Sequence, residues 1–298
     1  MKKILISLVM FFMAVIGVSA ASFGGLGIYP TNPDPNVDLS SSWFIYNLVP
    51  GEEKQDSLTI QNSSEETLSA KVYPVDATTT ADGAFALLKE EETQKDMGAW
   101  VRLPITEITL APGESRAISF TVKIPSDASV GSHLGGIALE NLKTTGGDGV
   151  NVVTRVGVRI YETVPGNLVR LLDLTDLSWK LVNDKVNLVF NLENKGNVHL
   201  DLIGKITYVN ALTGKTVNEV DADLRTVLPG KPTKVPFVWQ KTPVAGSYIA
   251  RIKIDYGNEM EVIEREIRFA YVTKKAMIMA GAGLFVLVIL KAILARKK

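Results

Sequence analysis

The 298-residue chain predicts an all-β fold: two β-sandwiches between an N-terminal leader and one C-terminal transmembrane helix. Three observations carry this. Apolar and polar residues alternate in segment after segment, with turn residues roughly every ten positions, the pattern of antiparallel sandwiches. A set of turn motifs occurs twice in the same order. Residues 276–290 form an unbroken apolar run close to the C-terminus.

The leader comes first. Met1-Lys2-Lys3 is a basic start, Ile4 to Gly17 is apolar, and Val18-Ser19-Ala20 offers small residues for cleavage. Residues 1–20 therefore read as a signal peptide cut after Ala20, the alternative being an uncleaved N-terminal anchor. The first sandwich is expected over 21–165, with alternating runs at Leu58–Gln61, Ala117–Ile124 and Arg155–Ile160. It has room for two insertions. One spans Ala77 to Ala99 and holds Glu90-Glu91-Glu92; the other is a hairpin tip at Thr144–Gly149, whose Gly and Asp suit a tight turn. Val164-Pro165-Gly166-Asn167 is the expected joint. The second sandwich, over 168–272, alternates at Val186–Leu192 and Tyr248–Ile254.

The repeat relates the halves. Leu110-Ala111-Pro112-Gly113 precedes a strand and then Gly131-Ser132; Leu228-Pro229-Gly230 precedes a strand and then Gly246-Ser247. Earlier in each half a strand ends at an Asn turn, Asn62-Ser63-Ser64 and Asn194-Lys195-Gly196. Proline presets φ and glycine accepts positive φ, so each Pro-Gly predicts a type II turn. Two related sandwiches follow from this order.

The last element is the membrane helix, expected over 276–294. With Lys291 able to snorkel, the run reaches ~19 residues, about 28 Å of helix, enough to cross a bilayer. A basic tail at 295–298 favours a cytoplasmic C-terminus, with the sandwiches outside. Lys274 and Lys275 oppose that orientation, and the leader decides in its favour.

The formal net charge of zero hides an acidic exported region. Of 32 Lys+Arg, two lie in the leader and six in or beside the anchor, leaving 24 against 32 Asp+Glu, about −8. That argues against nucleic acid or anionic lipid as a ligand. The chain has no cysteine, so thiolate metal sites and cysteine nucleophiles are excluded and packed cores must supply stability. His133 and His199 fall in different halves and read as ordinary strand or loop residues. No Gly-x-Ser-x-Gly elbow occurs, no catalytic constellation emerges, and no cofactor is implied. Asp34, Asn36 and Asp38 alternate and offer oxygens to calcium, but lack the glycine and distal glutamate of a calcium loop.

Trp43, Phe44 and Tyr46 are the candidate ligand-binding residues. Strand alternation sets Phe44 and Tyr46 on one face and Trp43 on the other, where its ring can stack on a sugar or peptide. The competing reading for the segment is core packing. Trp100, Trp179 and Trp239 read as core tryptophans.

Pro30-x-Asn32-Pro33, the aromatic run Trp43 to Leu48, Pro50-Gly51-Glu52 and Ile60–Ser64 resemble the start of a Gram-positive family of exported cell-wall proteins. Asp76-Ala77-Thr78 with Asp82-Gly83, Trp100-Val101, Leu110–Glu114 and Gly131 through Ile137 continue the likeness. The family is the WxL-interacting proteins, formerly a domain of unknown function. The resemblance implies a signal peptide, two immunoglobulin-like domains, a transmembrane helix and a short basic tail. It also implies a first domain that binds peptidoglycan and a second that docks a WxL-type surface protein.

The leading expectation is thus a membrane-anchored, non-enzymatic cell-surface protein. An alternative is a membrane-held assembly chaperone that completes subunits by strand donation, favoured by an exposed alternating edge strand. A third is a carboxylate-based cell-wall enzyme, which requires a groove lined by paired carboxylates.

Overall fold

The computed structural model describes residues 21–23, 25–80, 83–142, 154–222, 224–257 and 261–296. The expected signal peptide, the Thr144–Gly149 hairpin tip, Asp82 and the last two lysines of the tail lie outside the described residues.

The first half contains β1 (Ala21–Phe23), β2 (Leu26–Pro30), β3 (Trp43–Tyr46), β4 (Glu53–Asn62), β5 (Leu68–Thr79) and β6 (Phe85–Leu87). It continues with a single turn of helix, α1 (Met97–Trp100), then β7 (Val101–Arg102), β8 (Glu107–Leu110), β9 (Ser115–Lys123), β10 (Gly131–Asn141) and β11 (Arg155–Val164). One sheet runs β1-β2-β4-β9-β7 and the other β3-β11-β10-β5-β6, with β8 also on β5. Alternating residues fill the space between them: Leu58, Ile60, Phe120 and Val122 from one sheet, Val72, Ile137, Leu139 and Ile160 from the other. The edge strand β3 runs parallel to β11, with Phe44 beside Ile160 and Tyr46 beside Glu162.

The second half contains β12 (Leu172–Val182), β13 (Lys185–Asn194), β14 (Ile203–Asn210), β15 (Thr216–Ala222), β16 (Thr233–Val238), β17 (Ala245–Asp255) and β18 (Val262–Val272). Sheet β12-β13-β16 packs on sheet β15-β14-β17-β18. Its core is aromatic. Trp239 is fully buried and stacks on Tyr208 with ring centres 3.9 Å apart, and the edge of Tyr248 closes on Trp239 at 5.4 Å. Trp179 and Trp100 are partly buried against their respective cores.

The Pro-Gly turns form as predicted. Glu52 N–H bonds Val49 O at 3.0 Å, Glu114 N–H bonds Ala111 O at 3.1 Å, and Lys231 N–H bonds Leu228 O at 3.3 Å. Gly51, Gly113 and Gly230 have φ of 87°, 71° and 65°. The repeat also extends into the interior. Asn62 and Asn194 are fully buried, and each side-chain amide donates to carbonyls just ahead of its own half's Pro-Gly: Asn62 to Leu110 O and Ala111 O, Asn194 to Val227 O. Each also donates four residues ahead, to Glu66 O and Val198 O, and accepts an N–H two residues on.

The apolar run forms α2 (Lys274–Arg296), two residues longer at each end than the sequence pattern alone suggests. It is long and apolar enough to cross a membrane and buries nothing against the sandwiches. Thr273 alone separates β18 from α2.

Candidate functional site

Strand alternation sorts the three candidate residues. Phe44 and Tyr46 turn inward and are buried: Phe44 meets Phe120 edge-on at 4.9 Å, and the Tyr46 hydroxyl donates to Asp56 at 2.8 Å. For these two, core packing prevails over the expected ligand contact. Trp43 points to the outer face of β3 and stays partly exposed.

On that outer face Trp43 joins residues from two other elements. Its ring stacks on Tyr161 of β11 at 5.2 Å, and Tyr161 stacks in turn on Phe85 of β6 at 5.9 Å. The Arg159 guanidinium lies 4.2 Å from the Phe85 ring centre and 5.0 Å from that of Trp43, and donates to the Tyr161 hydroxyl at 3.2 Å. The result is a strip of three rings with one cation set among them. Phe85 arrives there because the 77–99 insertion lies flat on the sheet. Arg155 holds it by donating to Leu87 O and Leu88 O, both at 2.8 Å, and Gly157 leaves space for Leu87, which a Cβ would approach to 2.7 Å. The first residues of the insertion simply extend β5, which reaches Thr79.

The strip leads into a cleft of about 490 Å³ between the sandwiches, lined by Ser132, Thr163, Arg170, His199, Asp201 and Asp255 among others. Tyr161 meets the His199 ring edge-on at 5.0 Å. His199 N–H donates to Ser132 Oγ at 3.1 Å, and that oxygen lies 2.8 Å from His199 Nδ1. Burial holds the His199 pKa below the ordinary histidine range, so Nδ1 is free to accept the serine proton. Ser132 thus pairs with a histidine of the other half rather than its neighbour His133. No carboxylate is hydrogen-bonded to His199 among the described residues, and the pair serves as a lock across the joint. Asn197 reinforces it: its carbonyl accepts Ser132 N–H at 2.7 Å, and its side chain donates to Val130 O and Asn167 O.

A buried polar cluster sits inside the first sandwich. His133 has Asp96 Oδ1 at 2.5 Å from Nδ1 and Ser129 O at 2.8 Å from Nε2, an acceptor at each nitrogen. Burial pulls its pKa down, but the bonds to Asp96 and Ser129 outweigh that and leave it raised. Glu162, fully buried, accepts Leu48 N–H at Oε1, while Oε2 has no partner among the described residues. Desolvation pushes its pKa up from 4.5 to about 7. Asp76 accepts N–H groups from Lys95, Asp96 and Gly98, shaping the turn into α1. Sequence spacing gave no sign of the pair His133–Asp96, which are 37 residues apart. Arg159 and Tyr161 did carry a signal, because two polar-tipped residues at i and i+2 share one strand face.

Near β3, the Asp34 carboxylate is taken up by Asn36, whose N–H and side-chain amide bond it at 2.9 and 3.1 Å. No group of three His, Asp or Glu able to hold a metal occurs among the described residues.

No curated protein sequence matches the chain. Solved structures that match the chain include a class 5 fimbriae chaperone, CfaA, at 14% identity, covering 83% of this chain and 99% of that one, with a TM-score of 0.41. The CupB2 chaperone of Pseudomonas aeruginosa is 9% identical over 76% of this chain and 96% of its own, with a TM-score of 0.36. A Salmonella enterica SafA pilin in complex with the SafB chaperone gives 12%, 85%, 98% and 0.36 respectively. Residues 27–141, within the first sandwich, match the family model described as WxL Interacting Protein, peptidoglycan binding domain.

Proposed function

We propose that this chain is a membrane-anchored, non-enzymatic surface protein whose first sandwich grips peptidoglycan and whose second docks a WxL-type surface protein. The family match over residues 27–141 carries the first half of this reading. The ring strip supports it physically. Trp43 and Phe85 offer partly exposed aromatic faces suited to the apolar face of a sugar, and Arg159 offers a cation to a carboxylate. The adjoining cleft, with Arg170 beside Asp201 and Asp255, has both signs of charge and room for a short peptide stem. The leader and the basic tail support a cell membrane location, with the sandwiches facing the wall and the tail in the cytoplasm.

Co-sedimentation with purified peptidoglycan sacculi tests it. The wild-type exported part should pellet, and Trp43→Ala should weaken binding about ten-fold, the loss of one stacking contact of ~1–1.5 kcal/mol. Pelleting that is unaffected by both Trp43→Ala and Phe85→Ala would remove the strip from the reading. Absence of pelleting by the wild type would remove peptidoglycan itself.

The chaperone reading draws on one feature. Among the described residues, strand β15 pairs only with β14, which leaves its outer edge open there to an added strand. Protection of β15 amides from hydrogen exchange on adding a surface-protein segment would favour it.

A further inference from the structure

The end of the second sandwich that carries α2 exposes apolar side chains on every loop it has. Pairing of Ala245 with Val272, and of Asn210 with Tyr248, puts the β14–β15 turn, the loop before β17 and the end of β18 together. The β12–β13 turn joins them, because Asp184 Oδ1 accepts Lys274 N–H at 2.8 Å. From these loops project Leu212, 86% exposed, with Val272 at 52%, Val244 at 49% and Val182 at 40%. Lys215 and Lys241 are exposed beside them.

The connection to α2 fixes how far this surface is from the bilayer. Thr273 is buried; its N–H bonds Val244 O at 2.9 Å, its carbonyl accepts Met277 N–H, and its hydroxyl accepts Ala276 N–H. It is at once the last residue held by the sandwich and the cap of the helix. The apolar run starts at Ala276, three residues further on, about 4.5 Å along the axis. The headgroup layer on one side of a bilayer is roughly 5–8 Å thick. The base of the sandwich therefore falls within the headgroups, where exposed leucine and valine reach acyl chains and lysines meet phosphates.

We infer that the second sandwich is seated on the outer leaflet: Leu212, Val244, Val272 and Val182 dip into the lipid surface, and Lys215 and Lys241 bind headgroup phosphates. This rests on the anchor reading above and extends it from the helix to the folded domain.

The absence of cysteine makes the test clean, since one introduced thiol is the sole labelling site. The full chain is reconstituted into phosphatidylcholine–phosphatidylglycerol vesicles as four single variants: Leu212→Cys, Val244→Cys, Ile203→Cys and Leu284→Cys. Each is labelled with an environment-sensitive fluorophore. Ile203 is 74% exposed at the opposite end of β14, and Leu284 lies mid-helix. Labels at 212 and 244 should shift to the blue and lose intensity to lipids carrying a nitroxide near the headgroup. The label at 203 should do neither, and that at 284 should respond to a nitroxide near the chain ends. A quenched 284 with unquenched 212 and 244 overturns the seating alone. An unquenched 284 overturns the anchor and the seating with it.

Discussion

His133, with an acceptor at each ring nitrogen, is built to be an imidazolium, and its charge faces the buried Glu162 across the β10–β11 pair. Both groups favour their protonated forms in the folded state. The stabilisation from His133 is full below the ordinary histidine range and is lost as pH rises through its raised folded pKa. Glu162 keeps its proton between pH 4.5 and about 7 while the unfolded chain has released it, so stability falls across that window and levels off above it. Glu162→Gln should remove that decline, worth up to about 3 kcal/mol at pH 8. Melting temperatures of wild type and variant at pH 5 and pH 8 decide the matter; an unchanged difference between the two pH values would count against it. Little of this cluster was legible in the sequence. His133 reads as a strand residue, which it is, but its partner Asp96 comes from the turn before α1, and no local pattern links the two. Trp43 was legible because a strand's period of two separates it from Phe44 and Tyr46 without tertiary knowledge. Phe85 was not, because only the fold lays its insertion on that sheet.

At the level of elements, the two halves are related by how each builds one corner. The strand-ending asparagines and the Pro-Gly turns are visible in sequence as separate turn signals. That Asn62 reaches across 48 residues and Asn194 across 33 to brace those same turns is a tertiary fact. Removing the brace takes a donor from each carbonyl it reaches, though Ala111 O keeps Glu114 N–H and Val227 O keeps Leu200 N–H. Asn194→Ala should destabilise the second sandwich by about 1–3 kcal/mol, since Val198 O loses its donor while Val227 O keeps Leu200 N–H. Denaturant unfolding followed by the fluorescence of Trp239 would measure it, and a loss under ~0.5 kcal/mol would refute the brace. Gly131 plays a different part. Its φ is +128°, and a Cβ there would stand 2.1 Å from Asn197 O, so β10 of one sandwich starts in direct contact with the other. Gly131→Ala should loosen the joint while sparing each core, seen as faster proteolysis near Val164–Asn167 with unchanged circular dichroism.

Across the whole molecule, the sandwiches are joined by close contacts rather than by a free linker. Asn197 and His199 hold Ser132, Tyr161 packs with Leu134 and Leu228, and a Cβ on Gly83 would strike Thr233 at 2.1 Å. The two-sandwich plan and the apolar C-terminal helix are both readable from alternation and hydropathy, but the contacts that close the joint are not, since their residues carry no periodic signal. The connection to α2 is just as direct, with Thr273 shared by sandwich and helix. The consequence is mechanical. On the function proposed above, tension between wall and membrane would enter the second sandwich at Leu172, the start of β12 beside the joint, and leave at Val272, the end of β18 next to α2. Those points lie at opposite ends, so the load runs along the strands, and the eleven pairs between β17 and β18 must shear together instead of opening one by one. Pulled in a single-molecule instrument from residues 168 and 273, the domain should resist a much higher force than when pulled from the facing residues 245 and 272. On that proposed function, a cell swelling against its wall would strain this protein in its toughest direction.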